Sequence, residues 1–168
     1  SYKGNSLVLS GDEAILTVRK ESTAKQREAF VNEWYRALLK EKIEISRQFE
    51  KLGVDAIELP RIENVKTDTL LIKTIASFVK ESIISVGAGM NAEGVEKAAS
   101  ALQTAKKPRI RVELPVSTVG MEYVCHKKAN KMLELIKELV SLAKTKVEDV
   151  EFCAIDATRA EKAELKEF

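Results

Sequence analysis

One histidine, two cysteines and three prolines are all that these 168 residues contain of those types, and each scarcity removes a class of function. His126 is the single imidazole, so no His-x-His metal pair can form. Cys125 and Cys153 make no CxxC pair and no Cys/His cluster, so a thiolate zinc site is not expected. Such cysteine usage reads as a reduced, cytoplasmic protein. Seven glycines and three prolines leave little for loops, which should be short, and no linker or low-complexity segment appears. Neither charge sign prevails: 28 basic residues against 26 acidic ones give +2, no electrostatic case for nucleic acid. No apolar run approaches the roughly 18 residues of a membrane span. The opening SYKGNSLVLS has neither the basic start nor the apolar stretch of a signal peptide.

What is present is the composition of a folded domain, 45% apolar and 32% charged. The length suits one domain with a real core. LVLS (7–10) and AILTVR (14–19), separated by Gly11-Asp12-Glu13, read as a β-hairpin. Thr23 and Gln26 make a capping box. A helical pattern follows to Leu52, with Gly53 as its C-cap and room for a break near Lys40–Lys42.

From there the chain turns regular. Strands are expected at 54–60, 82–87, 109–115 and 149–155. Helices are expected at 69–80, 92–104 and 129–145, with a last one from Ala157. Strand followed by helix, four times, is the pattern of a parallel sheet with right-handed crossovers. VDAI, IISV and EFCAI are apolar on both faces, as in a covered sheet. The expected fold is α/β, one domain over 1–168. Residues 1–43 give the hairpin and long helix; 44–168 give four βα units in an open, mostly parallel three-layer sheet. A closed barrel needs at least ~200 residues, so pairing of two chains through a sheet edge is the alternative to the open sheet.

EKIEISRQFEKLGVDAIELP (41–60), AASALQTAKKPRIRVELPVST (98–118), MEY (121–123) and VEDVEFCAIDATRAEKAEL (147–165) resemble the barrel of isopropylmalate synthase and its homocitrate and citramalate synthase relatives. The resemblance is colinear and covers about the second through fifth units of that barrel. It implies a metal-dependent condensation in which acetyl-CoA is deprotonated and adds to a 2-keto acid. The family's DTTLRDGEQ motif and its late His-x-His pair do not occur in this sequence. Gly89 stands where the family has an Arg, Arg111 where HTFIATS begins with His, and Ile155 where EDA begins with Glu; Asp156 and Glu58 remain. Residues 4–43, with WYRALLKE, resemble instead the N-terminal region of YgjP-like zinc hydrolases.

Two resemblances meeting inside one helical pattern, each without its metal motif, lead to the expectation of an engineered or chimeric α/β scaffold without catalytic activity, cofactor, metal or specific partner. Two alternatives stand beside it. Gly87-Ala88-Gly89-Met90-Asn91-Ala92 fits GxGxxA between a strand and a helix. It would cradle a phosphate or nucleotide, with Glu113 reaching a ribose; a tight βα turn explains the same glycines. A residual synthase would use Glu58 and Asp156 with a metal. Glu151 and Asp156 are both read as lying near a strand end. Cys125-His126 lacks an orienting acid and reads as surface.

Overall fold

The computed structural model describes residues 6–10, 13–17, 24–160, 162 and 164–166. The chain divides into two compact units, 1–42 and 43–168. In the first, β1 (Ser6–Ser10) and β2 (Glu13–Thr17) pair antiparallel, with Val8 opposite Ile15. This is the hairpin that the sequence indicates. Its turn residues, the Thr23 capping box and the side chains of Trp34 and Tyr35 lie outside the described residues. Helix α1 (Ala24–Leu52) is one uninterrupted element through Lys40–Lys42, and the division between units falls within it. It ends at Gly53, whose φ of +76° favours glycine and whose N–H donates to the Phe49 carbonyl at 3.1 Å.

The second unit continues with β3 (Ala56–Leu59), α2 (Val65–Phe78), β4 (Ile83–Gly89), α3 (Ala92–Leu102), β5 (Pro108–Pro115), α4 (Ala129–Lys146) and β6 (Asp149–Ile155). The four strands form one parallel sheet in the order β3-β4-β5-β6. Strand order equals chain order, so right-handed crossovers bring the intervening helices to one face. Accordingly α2 packs on α3, and α3 on α4. The open parallel sheet is thus built as consecutive units of a (βα) barrel are, with the crossover helices on a single face.

In a parallel ladder, partners in register share a face. Ile57, Leu59, Ile84, Val86, Ile110, Val112 and Leu114 therefore point one way, and all are buried beneath the helices. Ile72 and Ile75 of α2, Val95 and Ala98 of α3, and Met132 and Leu139 of α4 are also buried, with α3 packed on β4 and β5, and α4 on β5 and β6. The opposite face carries Glu58, Ser85, Arg109, Arg111, Glu113, Asp149 and Glu151. One face is core; the other is charged.

Two boundaries depart from the sequence reading. Helix α2 begins at Val65, earlier than Thr69, because Asn64 accepts the Thr67 N–H at 3.1 Å while Asp68 accepts those of Glu63 and Asn64. The expected last helix is replaced by short 3₁₀ turns at Ala157–Arg159 and Glu164–Lys166. Asp156 enters the first with φ +62°, and Ala160 leaves it extended, so no α-helix propagates.

Gly94, inside α3, is held by space. A Cβ there would lie 1.8 Å from the Ala88 carbonyl oxygen. Glycine to alanine within a helix ordinarily gains about 1 kcal/mol, but overpacking costs about 1–3 kcal/mol. Gly94→Ala is expected to lose about 1 kcal/mol net in urea unfolding, against the propensity trend.

Candidate functional site

In (βα) folds the chemistry sits at the C-terminal ends of the strands. Three polar groups converge there. The Ser117 hydroxyl, just past β5, donates to Asp156 Oδ2 just past β6, and accepts the Gly120 N–H at 3.0 Å. Arg159 Nε donates to Asp156 Oδ1 at 2.7 Å. The Arg159 guanidinium, and after it the Ser117 hydroxyl, hold the Asp156 carboxyl below its usual range. The same pairing raises the guanidinium of Arg159. Ser117 is fully buried, while the Arg159 side chain is 65% exposed, so a fixed anion at the strand ends carries a cation on its solvent side. After Ser117, Gly120–Val124 form a π-helical turn, a form frequent at functional sites.

At the C-terminal end of β4 lies a recess of about 200 Å³ lined by Arg61, Gly87, Gly89, Asn91 and Lys97. Gly87 and Gly89 belong to β4, which runs to residue 89 with a register shift between them; the expected loop is thus a bulged strand end. Ala92 opens α3 as the GxGxxA pattern requires. The structure brings Gly87 and Glu113 together: a Cβ at Gly87 would lie 2.8 Å from Glu113 Oε2. Glu113 nonetheless accepts from Arg111 Nε at 2.8 Å. Asn91 accepts the Gly94 N–H, Arg61 pairs with Glu63, and Lys97 with Glu93. Polar groups around the recess are engaged with one another.

Glu58 and Glu151 lie elsewhere. Glu58 Oε2 is 2.7 Å from Arg111 Nη1, an ion pair whose angle is too poor for a hydrogen bond. Glu151 sits in the middle of β6, not near its end as the sequence suggested, and pairs with Arg109, which also binds Asp149. Cys125 Sγ rests 3.6 Å from Met90 Sδ, and burial pushes its thiol up. His126 is exposed with φ +51°. Ile155, in the family's Glu position, is 43% exposed.

Sequence reasoning retained Asp156 but missed both its partners. Ser117 lies 39 residues away and becomes a neighbour only once β5 and β6 pair. Arg159 was visible in DATR, three residues on, had the strand end been read as a turn.

Among the described residues, no three His, Cys, Asp or Glu side chains are grouped to hold a metal ion. The divalent ion implied by the resemblance does not fit these residues, and no step is assigned through it.

Parallel strands in chain order, with helices on one face, define a segment of a (βα) barrel. The HMGL-like family profile matches residues 34–168, and the chain belongs to that family. It is 38% identical over 130 residues to the 2-isopropylmalate synthase of Listeria monocytogenes serotype 4a, covering 77% of this chain and 25% of that protein. It is 37% identical over 122 residues to the Aquifex aeolicus 2-isopropylmalate synthase, covering 73% and 24%. Against 2-isopropylmalate synthase 2, chloroplastic, of Arabidopsis thaliana it is 35% identical over 137 residues, covering 76% and 22%. The chain spans about a quarter of the length of these relatives.

These matches correct the expectation of an inert scaffold, because the relatives are synthases. That expectation rested on two absent motifs, on Gly89, Arg111 and Ile155 standing where the family has Arg, His and Glu, and on a second resemblance over residues 4–43. The matches span only about a quarter of each relative, so the absence of a motif from this chain carries no weight. The matches give an engineered or chimeric origin no support. No helix among the described residues is long and apolar enough to cross a membrane.

Proposed function

We propose that this chain contributes strand-end groups to a barrel that condenses an acyl-CoA with a 2-keto acid, the reaction class of its 2-isopropylmalate synthase relatives. The observation that supports this most directly is the Ser117–Asp156–Arg159 cluster at the adjoining ends of β5 and β6. A carboxylate held low by Arg159 is a weak base at neutral pH, so proton abstraction is not assigned to it. Its role is positioning: it fixes the Ser117 hydroxyl and aims the exposed guanidinium. Arg159 uses Nε on Asp156, and its remaining N–H groups suit the carboxylate of a 2-keto acid.

The test is a melting series with acetyl-CoA, magnesium or manganese, and 2-keto acids of increasing side-chain length, with released CoA titrated in the same samples. A ligand at about 100 times its dissociation constant stabilises by about 2.7 kcal/mol, worth about 5 °C or more here. Arg159→Gln is expected to weaken the keto acid response up to about fivefold, the worth of one exposed ion pair, with little change in the unliganded melt. If no 2-keto acid moves the melt or releases CoA, the reading fails.

A further inference from the structure

We propose that the recess at the C-terminal end of β4 is a subsite for a single phosphate group, held between Arg61 and Lys97. The inference goes beyond the proposed reaction, and its test separates the two.

The recess is built from adjoining parts of this chain. Arg61 comes from the connection after β3, Gly87 and Gly89 from the end of β4, and Asn91, Glu93 and Lys97 from the N-cap and first turns of α3. Glycines bring these parts together. At Gly87 a Cβ would lie 3.2 Å from the Arg61 amide nitrogen, so the connection after β3 lies directly against the strand. Gly89 has φ +68° and presents a bare face on which Arg61 rests, its Cδ 3.7 Å from where a Cβ would stand. At Gly94 a Cβ would meet the Ala88 carbonyl oxygen, so α3 abuts the strand end and brings Lys97, three residues on, to the recess.

The charges favour an anion. Two cations and one carboxylate line the recess, and the carboxylates that hold the cations face water. Arg61 donates Nε and Nη2 to Glu63 at 3.3 and 3.2 Å, which leaves Nη1 for a ligand oxygen. Lys97 Nζ lies 2.7 Å from Glu93. Glu63 and Glu93 are 73% and 75% exposed. Such pairs are worth about 0.2–1 kcal/mol, so a ligand of higher charge displaces them at little cost. The N–H groups of Ala92 and Glu93, which have no acceptor within the helix, border the same space. Glu113, whose carboxylate lies against Gly87, is neutralised by Arg111 Nε at 2.8 Å.

Volume and charge together select the ligand. About 200 Å³ is below the ~300–1,000 Å³ of sites that take a whole small molecule, so the recess admits a group and not a dinucleotide. A carboxylate brings a single charge and two oxygens. A phosphate group brings about −1.5 to −2 and three acceptor oxygens, enough for Arg61, Lys97 and the α3 amides at once.

Titration calorimetry of the full chain with inorganic phosphate, at constant ionic strength, tests this. The parent should bind one phosphate per chain and bind acetate more weakly. Arg61→Gln and Lys97→Met should each weaken phosphate binding up to about fivefold, and the double variant should abolish it, with unliganded melts unchanged. Lys131→Met, at a 64% exposed lysine of α4, should leave binding as in the parent. CoA compared with its analogue lacking the 3′-phosphate names the source of the group. A preference for CoA ties the subsite to the acyl carrier of the proposed reaction, and equal binding of the two assigns it to free phosphate. The reaction itself is read separately, from released CoA. No phosphate binding, acetate bound as tightly, or a loss in Lys131→Met equal to those at Arg61 and Lys97 would each overturn the proposal.

Discussion

Replacing Arg111 by methionine is expected to lower the stability of the fold by about 3 kcal/mol in urea unfolding. Arg111 stands on a central strand, on the sheet face away from the helices, with its side chain only 12% exposed. Burial alone would lower its guanidinium. The Glu113 hydrogen bond and charge, followed by the charges of Glu58 and Glu151, outweigh that burial and raise it. Methionine keeps much of the side-chain stem and removes the cation. Glu113, 22% exposed, is then left as a carboxylate without its counter-ion in a poorly solvated position. That uncompensated charge is the main cost. Glu58 is 63% exposed and turns to water, so its share is small. The check is a double-mutant cycle: Arg111→Met/Glu113→Leu should recover most of the loss, since removing both partners of such a pair is far less harmful than removing one. A single variant within about 0.5 kcal/mol of the parent would show that the pair contributes nothing net.

The same residue shows how far the sequence could be read. RIRVELP was read as a strand and no more; its alternation of charged and apolar residues matches the burial of Ile110, Val112 and Leu114 in β5. The apolar runs VDAI, IISV and EFCAI likewise located β3, β4 and β6. What stayed hidden depended on groups distant in sequence or on side-chain bonding to the backbone. The start of α2 is set by Asn64 and Asp68, polar residues that carry no periodic signal. The glycines of β4 read as a loop, yet parallel pairing with β5 holds them in the strand. Ala157 onward has helical composition, but Asp156 takes a left-handed backbone and binds Ser117 and Arg159 instead. The family was legible from colinear residues. The inference of inactivity is overturned by the synthase relatives, of which this chain spans only about a quarter.

Glu50→Gln should cost about 2 kcal/mol at pH 7, and that difference should disappear by about pH 2. Glu50 sits in the last turn of α1, and its carboxylate accepts the N–H groups of Lys80, Glu81 and Ser82 at 2.6, 2.8 and 3.1 Å, bridging the junction of α2 and β4. Burial acts to raise its pKa. The bonds from Glu81, Lys80 and Ser82 outweigh this and bring it from 4.5 down to about 2. A depressed carboxyl contributes its full stability above the unfolded value of about 4.5 and loses it as pH falls through that value toward 2. The parent should therefore lose stability over this window by more than the variant does. Two opposing effects limit the magnitude. Water reaches this half-buried group and weakens each bond, and a negative charge near a helix C-terminus is disfavoured by some tenths of a kcal/mol, which the glutamine relieves. Three charge-assisted bonds at about 1.5 kcal/mol or more each leave a clear net cost after both discounts. Urea midpoints of parent and variant from pH 7 to pH 2 make the comparison. Converging curves assign the acid sensitivity to Glu50, and curves that stay parallel would place it on other carboxylates.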